Sequence, residues 1–190
     1  GETAEHPGVM GPDAIDLAGA VVGVVEKGAE LRADWVAEGD LIIGLASPNL
    51  RSNGFSLVRR VLADEMEQHV DDLLDPSVIY TPAVLSAVGT GWVHAAAHVT
   101  GGGLIGNLGR ALPDHLGVDI QRSAWSRPEI FDIIAMRGVG SDEMERTFNL
   151  GIGFCLVADR VGADDVMGAV APHDPVVIGT VSDRPGVRVV

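Results

Sequence analysis

The chain has 190 residues, 46% hydrophobic, 21% charged and only 4% aromatic, and its 13 basic and 27 acidic residues leave a formal charge of −14. That length supplies one good hydrophobic core, in a composition that suits a globular chain rich in Val, Ala and Gly. The acidic balance excludes the basic face that nucleic acid or an anionic membrane requires, so neither is expected as a partner. No apolar run is long enough to span a bilayer, and the longest, Ala18–Val25, is interrupted by glycine.

The opening residues 1–15 mix Gly, Pro and charge and read as an ordered loop or the end of a linker. No basic stretch followed by an apolar one marks a secretory signal, and Gly1 stands where an initiating Met is absent, so upstream sequence is expected. Asp16–Lys27 is apolar and β-branched, as a buried strand should be. A polar connection follows to Asp40, then a strand over Leu41–Ser47 and a turn over Pro48–Gly54. Phe55, Val58, Val61, Leu62 and Met66 share one helix face, predicting a helix over Phe55–Gln68 with Ser52 or Asn53 as its cap.

Beyond the acidic stretch Asp71–Asp75, a helix is predicted over Ala83–Val88 and a strand over Trp92–Val99. Gly101–Gly103 breaks the chain before a helix over Leu104–Leu112 and a short strand near Gly117–Gln121. Pro128 opens a helix to Met136, and Ser141 caps a short helix to Arg146. A strand over Gly151–Ala158, a helix over Asp164–Ala171 and strands over Val176–Val181 and Val187–Val190 complete the chain. The alternation gives an α+β fold with α/β-like order, a mixed sheet covered by helices. The domain division is an opening loop over 1–15 and one compact domain over 16–190.

Candidate chemistry concentrates in Val93–Arg110. His94 and His98 lie four apart, and on a strand that is about 13 Å, too far to chelate one metal. His98 ends its strand beside a glycine turn, a common place for a reacting group, and is the candidate catalytic residue. Thr100, Gly101, Gly102 and Gly103 before a helix have the geometry of an anion cradle, although a tight turn alone accounts equally for the glycines. Ser52, Asn53 and Gly54 put polar groups and backbone freedom at a strand-to-helix junction. Arg146, Thr147 and Asn149 place a cation and two hydrogen-bonding side chains before a strand. Thr3 and Glu5 are candidate polar contacts in the opening loop. The single cysteine, Cys155, sits in an apolar run and reads as core, the three tryptophans read as packing, and the cytoplasm is the default compartment.

Six segments taken in order, GETAEHPG, DLAGAVVGVVEKG, LASPNLRSNGFSLVRRVL, VHAAAHVTGGGLIGNLGRALP, WSRPEIF and EMERTFNLGIGF, resemble the aminoimidazole ribonucleotide synthetase (phosphoribosylformylglycinamidine cyclo-ligase) family along essentially the whole chain. The resemblance implies the carboxy-terminal part of an enzyme whose amino-terminal domain holds most of the ATP and Mg²⁺ ligands. It implies a phosphorylated small-molecule substrate, ring closure of formylglycinamidine ribonucleotide in purine biosynthesis, and a homodimer. Such a part in isolation is expected to be inactive. The family often has His where this chain has Arg51, and Arg does not shuttle protons at neutral pH. The alternatives are a relative of the selenophosphate synthetase or formylglycinamidine ribonucleotide synthetase type, or a non-catalytic interaction module.

Overall fold

In a computed structural model, residues 19–190 are described. The chain divides into two compact units, residues 1–30 and residues 31–190. In the first, residues 19–30 form no strand, and Val21, Val22 and Val24 are each more than 90% exposed. The strand expected over Asp16–Lys27 is therefore not formed in its described portion. A β-branched run supplies the side chains of a strand but not its hydrogen bonds, which need a neighbouring edge. The expected loop over residues 1–15 lies outside the described residues.

The second unit is built on a sheet of six strands: β1 (Leu41–Ala46), β2 (Val93–His98), β3 (Gly117–Ile120), β4 (Ile152–Ala158), β5 (Val176–Ser182) and β6 (Gly186–Val189). Their spatial order is β2-β4-β1-β5-β3-β6, antiparallel throughout except for the parallel pair β3–β6. The sheet is therefore mixed, as the alternation predicted. Seven α-helices accompany it: α1 (Phe55–Val61), α2 (Val70–Leu74), α3 (Thr81–Val88), α4 (Gly103–Gly109), α5 (Glu129–Met136), α6 (Ser141–Thr147) and α7 (Ala163–Ala169).

Side chains alternate across the central strands, so both faces of the sheet are covered. Ile42, Cys155 and Val157 point into a core with Leu104 and Leu108 of α4, while Ile43, Leu45, Leu156 and Ala158 point toward Ala87 of α3 and Val166 of α7. A third core lies off the sheet, where Leu57, Val58, Phe131, Ile134, Met144 and Phe148 pack α1, α5 and α6 together. Cys155 is fully buried, as its apolar run predicted, and burial pushes its thiol pKa up to about 12. Trp92 packs against Gly162, and Trp125 donates its indole N–H to Leu150 O, whereas Trp35 is 40% exposed.

The helix predicted over Phe55–Gln68 stops at Val61. The chain turns over residues 62–65, passes through a 3₁₀ turn at Met66–His69 and resumes as α2. The break brings Leu73 back into the same buried cluster as Leu62, which a straight helix would carry it past. Neither Ser52 nor Asn53 caps α1; its N-cap is Gly54 in the left-handed region, with φ of 76°. Ser141 is likewise not a cap, since Gly140 occupies that position.

Candidate functional site

Two turns, Arg51–Gly54 and Thr100–Gly103, meet the end of α6 at Glu145–Asn149 beside the carboxyl end of β2. Glycine makes the approach possible. A Cβ on Gly54 would stand 2.2 Å from the Phe148 ring, and one on Gly103 would stand 1.8 Å from Glu145 O. Both positions have positive φ as well, so a side chain is excluded by conformation and by space. Gly101 faces Asn53, whose Oδ1 would lie 4.0 Å from an added Cβ. Gly102, with φ of 102°, leaves ordinary contact distance to Asn107 and Arg110.

Polar side chains lock these turns in place. Asn107 donates from Nδ2 to Gly103 O at 2.7 Å and Thr100 O at 3.2 Å, and its Oδ1 accepts from the Thr100 hydroxyl at 3.3 Å. Asn149 donates to Asn49 O at 2.9 Å and accepts from Gly151 N–H at 2.8 Å. Asn49 in turn accepts from Arg51 N–H at 2.8 Å and donates to Asp75 Oδ2 at 2.5 Å. Asn49, Asn107 and Asn149 are all buried, so each bond replaces one that water would otherwise make.

The geometry divides the expected site residues. Ser52 and Asn53 sit on the open side of the first turn, with Ser52 exposed. Thr147 donates its hydroxyl to Glu143 Oε1 at 3.0 Å, and Asn149 is committed to the framework. Arg146 is exposed, donates to Asp142 O at 3.2 Å, and keeps Glu143 at 4.0 Å, so its fork is engaged on its own helix. Gly103 and Gly54 are occupied by packing. Ser52 borders a recess with Arg51, Asn53 stands beside Gly101, and Gly102 has space around its Cα. Thr3 and Glu5 lie outside the described residues.

The two histidines of β2 stand at opposite ends of the strand with different partners. His94 Nδ1 lies 2.8 Å from Asp40 Oδ2, and that oxygen also accepts from Ala37 N–H at 2.9 Å. This carboxylate is almost fully buried, so His94 belongs to a structural bridge. His98 instead meets Arg51, whose Nη2 hydrogen-bonds to His98 Nε2. Burial and then the guanidinium charge hold the His98 pKa below its ordinary 6.5.

Arg51 is the residue whose role its place in the sequence understated. It is 7% exposed, with φ of 57°, and Nη1 donates to Val99 O at 3.0 Å and Gly153 O at 2.8 Å. Its Nε is buried without a partner, and no carboxylate pairs with it among the described residues. The guanidinium carbon lies 5.8 Å from the Tyr80 ring centroid, and burial lowers the Arg51 pKa. Gly153 admits this arrangement, because a Cβ there would stand 2.1 Å from Tyr80 Oη and 3.0 Å from Arg51 Nη1. The only hint in the sequence was a cation beside Ser-Asn-Gly. Nothing local foretold that it would turn inward.

Two cavities flank the guanidinium. One, of about 460 Å³, is lined by Arg51, Ser52, Phe55, Arg59 and Asp75 among others. The second, of about 380 Å³, is lined by His98, Tyr80, Thr81, Phe154 and aliphatic side chains of α3 and the segment before it. Tyr80 anchors the second through a 2.6 Å bond to Ala46 O, and burial raises its pKa. The arrangement offers one polar, cation-bearing recess for an anionic or hydroxylated ligand and a more apolar one with an imidazole at its edge.

The fold is shared with the hydrogenase maturation protein HypE of E. coli, with a TM-score of 0.60 at 18% identity over 88% of this chain and 51% of that one. It is also shared with T. maritima PurL complexed with ADP, at TM-score 0.55 and 16% identity over 88% and 25%. Sequence similarity is much higher to the phosphoribosylformylglycinamidine cyclo-ligase of Bacillus subtilis, 42% identical over 91% of this chain and 54% of that protein. The human trifunctional purine biosynthetic protein adenosine-3 is 38% identical over 97% of this chain and 20% of its own length. The chain spans about half the length of the cyclo-ligases it matches. Residues 37–190 match the model described as AIR synthase related protein, C-terminal domain, and the chain belongs to that family.

Proposed function

We propose that this chain is the substrate-side part of an ATP-dependent cyclo-ligase that closes formylglycinamidine ribonucleotide to aminoimidazole ribonucleotide in purine biosynthesis. The observation that carries the reading is 42–44% identity to cyclo-ligases across most of the chain, set against 21% or less to the superfamily relatives HypE and PurL. The reaction moves the γ-phosphoryl group of ATP to the formyl amide oxygen of the substrate, making that oxygen a leaving group. The amidine nitrogen then attacks the same carbon, phosphate departs and a proton is lost from the nitrogen.

Within this chain, a wall of Ser52, Asn53, Gly101 and Gly102 holds the substrate or its phosphate through hydroxyl, amide and backbone N–H donors. The cation of Arg51, which lines a recess with Ser52, favours a negatively charged occupant. His98 contributes orientation or proton traffic at the adjoining cavity. Holding the two reacting ends of a flexible ribonucleotide together is the part of the barrier that such a wall addresses. Among the described residues, no three His, Cys, Asp or Glu side chains come together as a metal site, so no step is routed through Mg²⁺ on these residues. ATP and Mg²⁺ are assigned mainly to an amino-terminal domain of the same protein, and the assembly to a homodimer. The setting is assigned to the cytoplasm on the same likeness to purine biosynthetic enzymes; no helix among the described residues is long and apolar enough to cross a membrane.

The deciding experiment is an assay of the full-length protein with formylglycinamidine ribonucleotide and Mg-ATP. Formation of aminoimidazole ribonucleotide and ADP in equal amounts is the expected result. A folded full-length protein that turns over no such substrate overturns the reading.

A further inference from the structure

We infer that Arg51 is a positioning residue for His98, fixing the imidazole as its Nδ1–H tautomer so that His98 meets a ligand as a hydrogen-bond donor and not as a base through Nε2. Arginine carries donors only, so the ring nitrogen that faces Nη2 must be the unprotonated acceptor. The neutral imidazole then has its one proton on Nδ1, since the bond made by one ring nitrogen sets the state of the other. Nδ1 has no partner among the described residues, and the ring borders the cavity shared with Tyr80 and Phe154.

Arg51 is held firmly enough to impose this choice. Its other terminal nitrogen is tied to two backbone carbonyls at the adjoining ends of β2 and β4, and Gly153 leaves it room, since a Cβ there would stand 3.0 Å from Nη1. The groups facing His98 are the Arg51 guanidinium, the Tyr80 ring at 6.4 Å between centroids and the Phe154 ring at 5.6 Å. His173 also lies against Tyr80, its ring tilted and 5.0 Å away between centroids. None of these presents a carboxylate that would favour imidazolium. A protonated Nε2 would also direct an N–H at a guanidinium that cannot accept it. His98 is thereby suited to steady an oxygen or nitrogen lone pair of an occupant of the cavity, a role that rests on the functional reading above.

The test is two-bond ¹H–¹⁵N correlation of the full-length protein labelled with ¹⁵N-histidine, with His98 identified by the signal missing in His98→Gln. At neutral pH, the wild-type ring should show a protonated Nδ1 and a pyridine-like Nε2. Arg51→Met should shift the population toward Nε2–H and raise the titration midpoint toward 6.5. An Nε2–H ring in the wild type overturns the inference, as does an unchanged tautomer in a folded Arg51→Met. If Arg51→Met fails to fold, Arg51→Gln replaces it, and the wild-type spectrum already decides the tautomer. An Nδ1–H ring in a protein that makes no aminoimidazole ribonucleotide upholds the Arg51 inference and overturns the functional reading alone.

Discussion

Asn149 donates its amide to the carbonyl of Asn49, 2.9 Å away and 100 residues distant in sequence, and with its own Oδ1 accepts from Gly151 N–H. One buried side chain thereby fastens the end of α6 to the turn that carries Arg51. Asn149→Ala leaves the buried Gly151 N–H without a side-chain partner and the Asn49 carbonyl with only the Ser47 hydroxyl at 3.2 Å, and should destabilise the protein by about 1–3 kcal/mol. Urea unfolding of the full-length protein measures it. Asn149→Asp keeps the acceptor for Gly151 N–H but sets a buried carboxylate oxygen against the Asn49 carbonyl, and should cost no less than the alanine variant.

The neighbouring glycines separate a packing role from a ligand role. Gly103→Ala drives a methyl group into Glu145 O and forces a positive φ on alanine, which should cost roughly 3 kcal/mol or more. Gly102→Ala has room and carries only the backbone penalty, about 1–2 kcal/mol. The larger Gly102→Val adds bulk beside Asn107 and Arg110 at the proposed ligand turn and should raise KM for the ribonucleotide. Thermal denaturation together with steady-state kinetics resolves the two effects.

The histidines of β2 should part company in the same way. His98→Ala is expected to lower kcat roughly a hundredfold with little change in stability, because the ring is exposed on one side. His94→Ala removes a partner of the buried Asp40 carboxylate and should destabilise by about 1–3 kcal/mol while kcat is retained. Parallel measurement of kcat and unfolding midpoints for both variants checks the assignment.

The lowered His98 pKa has a definite sign in stability. Between that value and the ordinary 6.5, the unfolded chain binds more protons than the native one, so stability falls as pH drops through the window. His98→Gln removes this contribution. The difference between urea midpoints at neutral pH and at about pH 5 should therefore be smaller in the variant than in the wild type.

Cys155 should be chemically silent until the sheet opens. Its thiol is fully buried in the central strand β4, and its pKa of about 12 leaves almost no thiolate at neutral pH. Labelling by a thiol reagent should track global unfolding across a denaturant series. Fast labelling of the native protein would contradict the packing.

Local pattern determined a great deal about this protein. The central strands, the helix expected over Ala83–Val88 and found over Thr81–Val88, the helix opened by Pro128, the glycine break after Val99 and the burial of Cys155 all follow from side-chain period and turn chemistry, which act over a few residues. Local pattern put Ser52–Asn53 and Gly101 each at a turn before a helix, and the fold brought the two turns side by side. Tertiary structure decided the rest. The run before Glu30 has the composition of a strand, yet its described residues pair with no other strand. The helix after Phe55 breaks because Leu62 and Leu73 must reach the same core. Arg146 and Asn149 read alike as polar residues before a strand, yet one stays exposed on its helix and the other becomes a buried tie. Arg51 is the clearest case: whether a cation beside a turn faces water or a histidine depends on the space left by Gly153 and on two carbonyls more than 45 residues away. Sequence neighbours fix conformation, but the partners of a buried charge are set only when distant strands align.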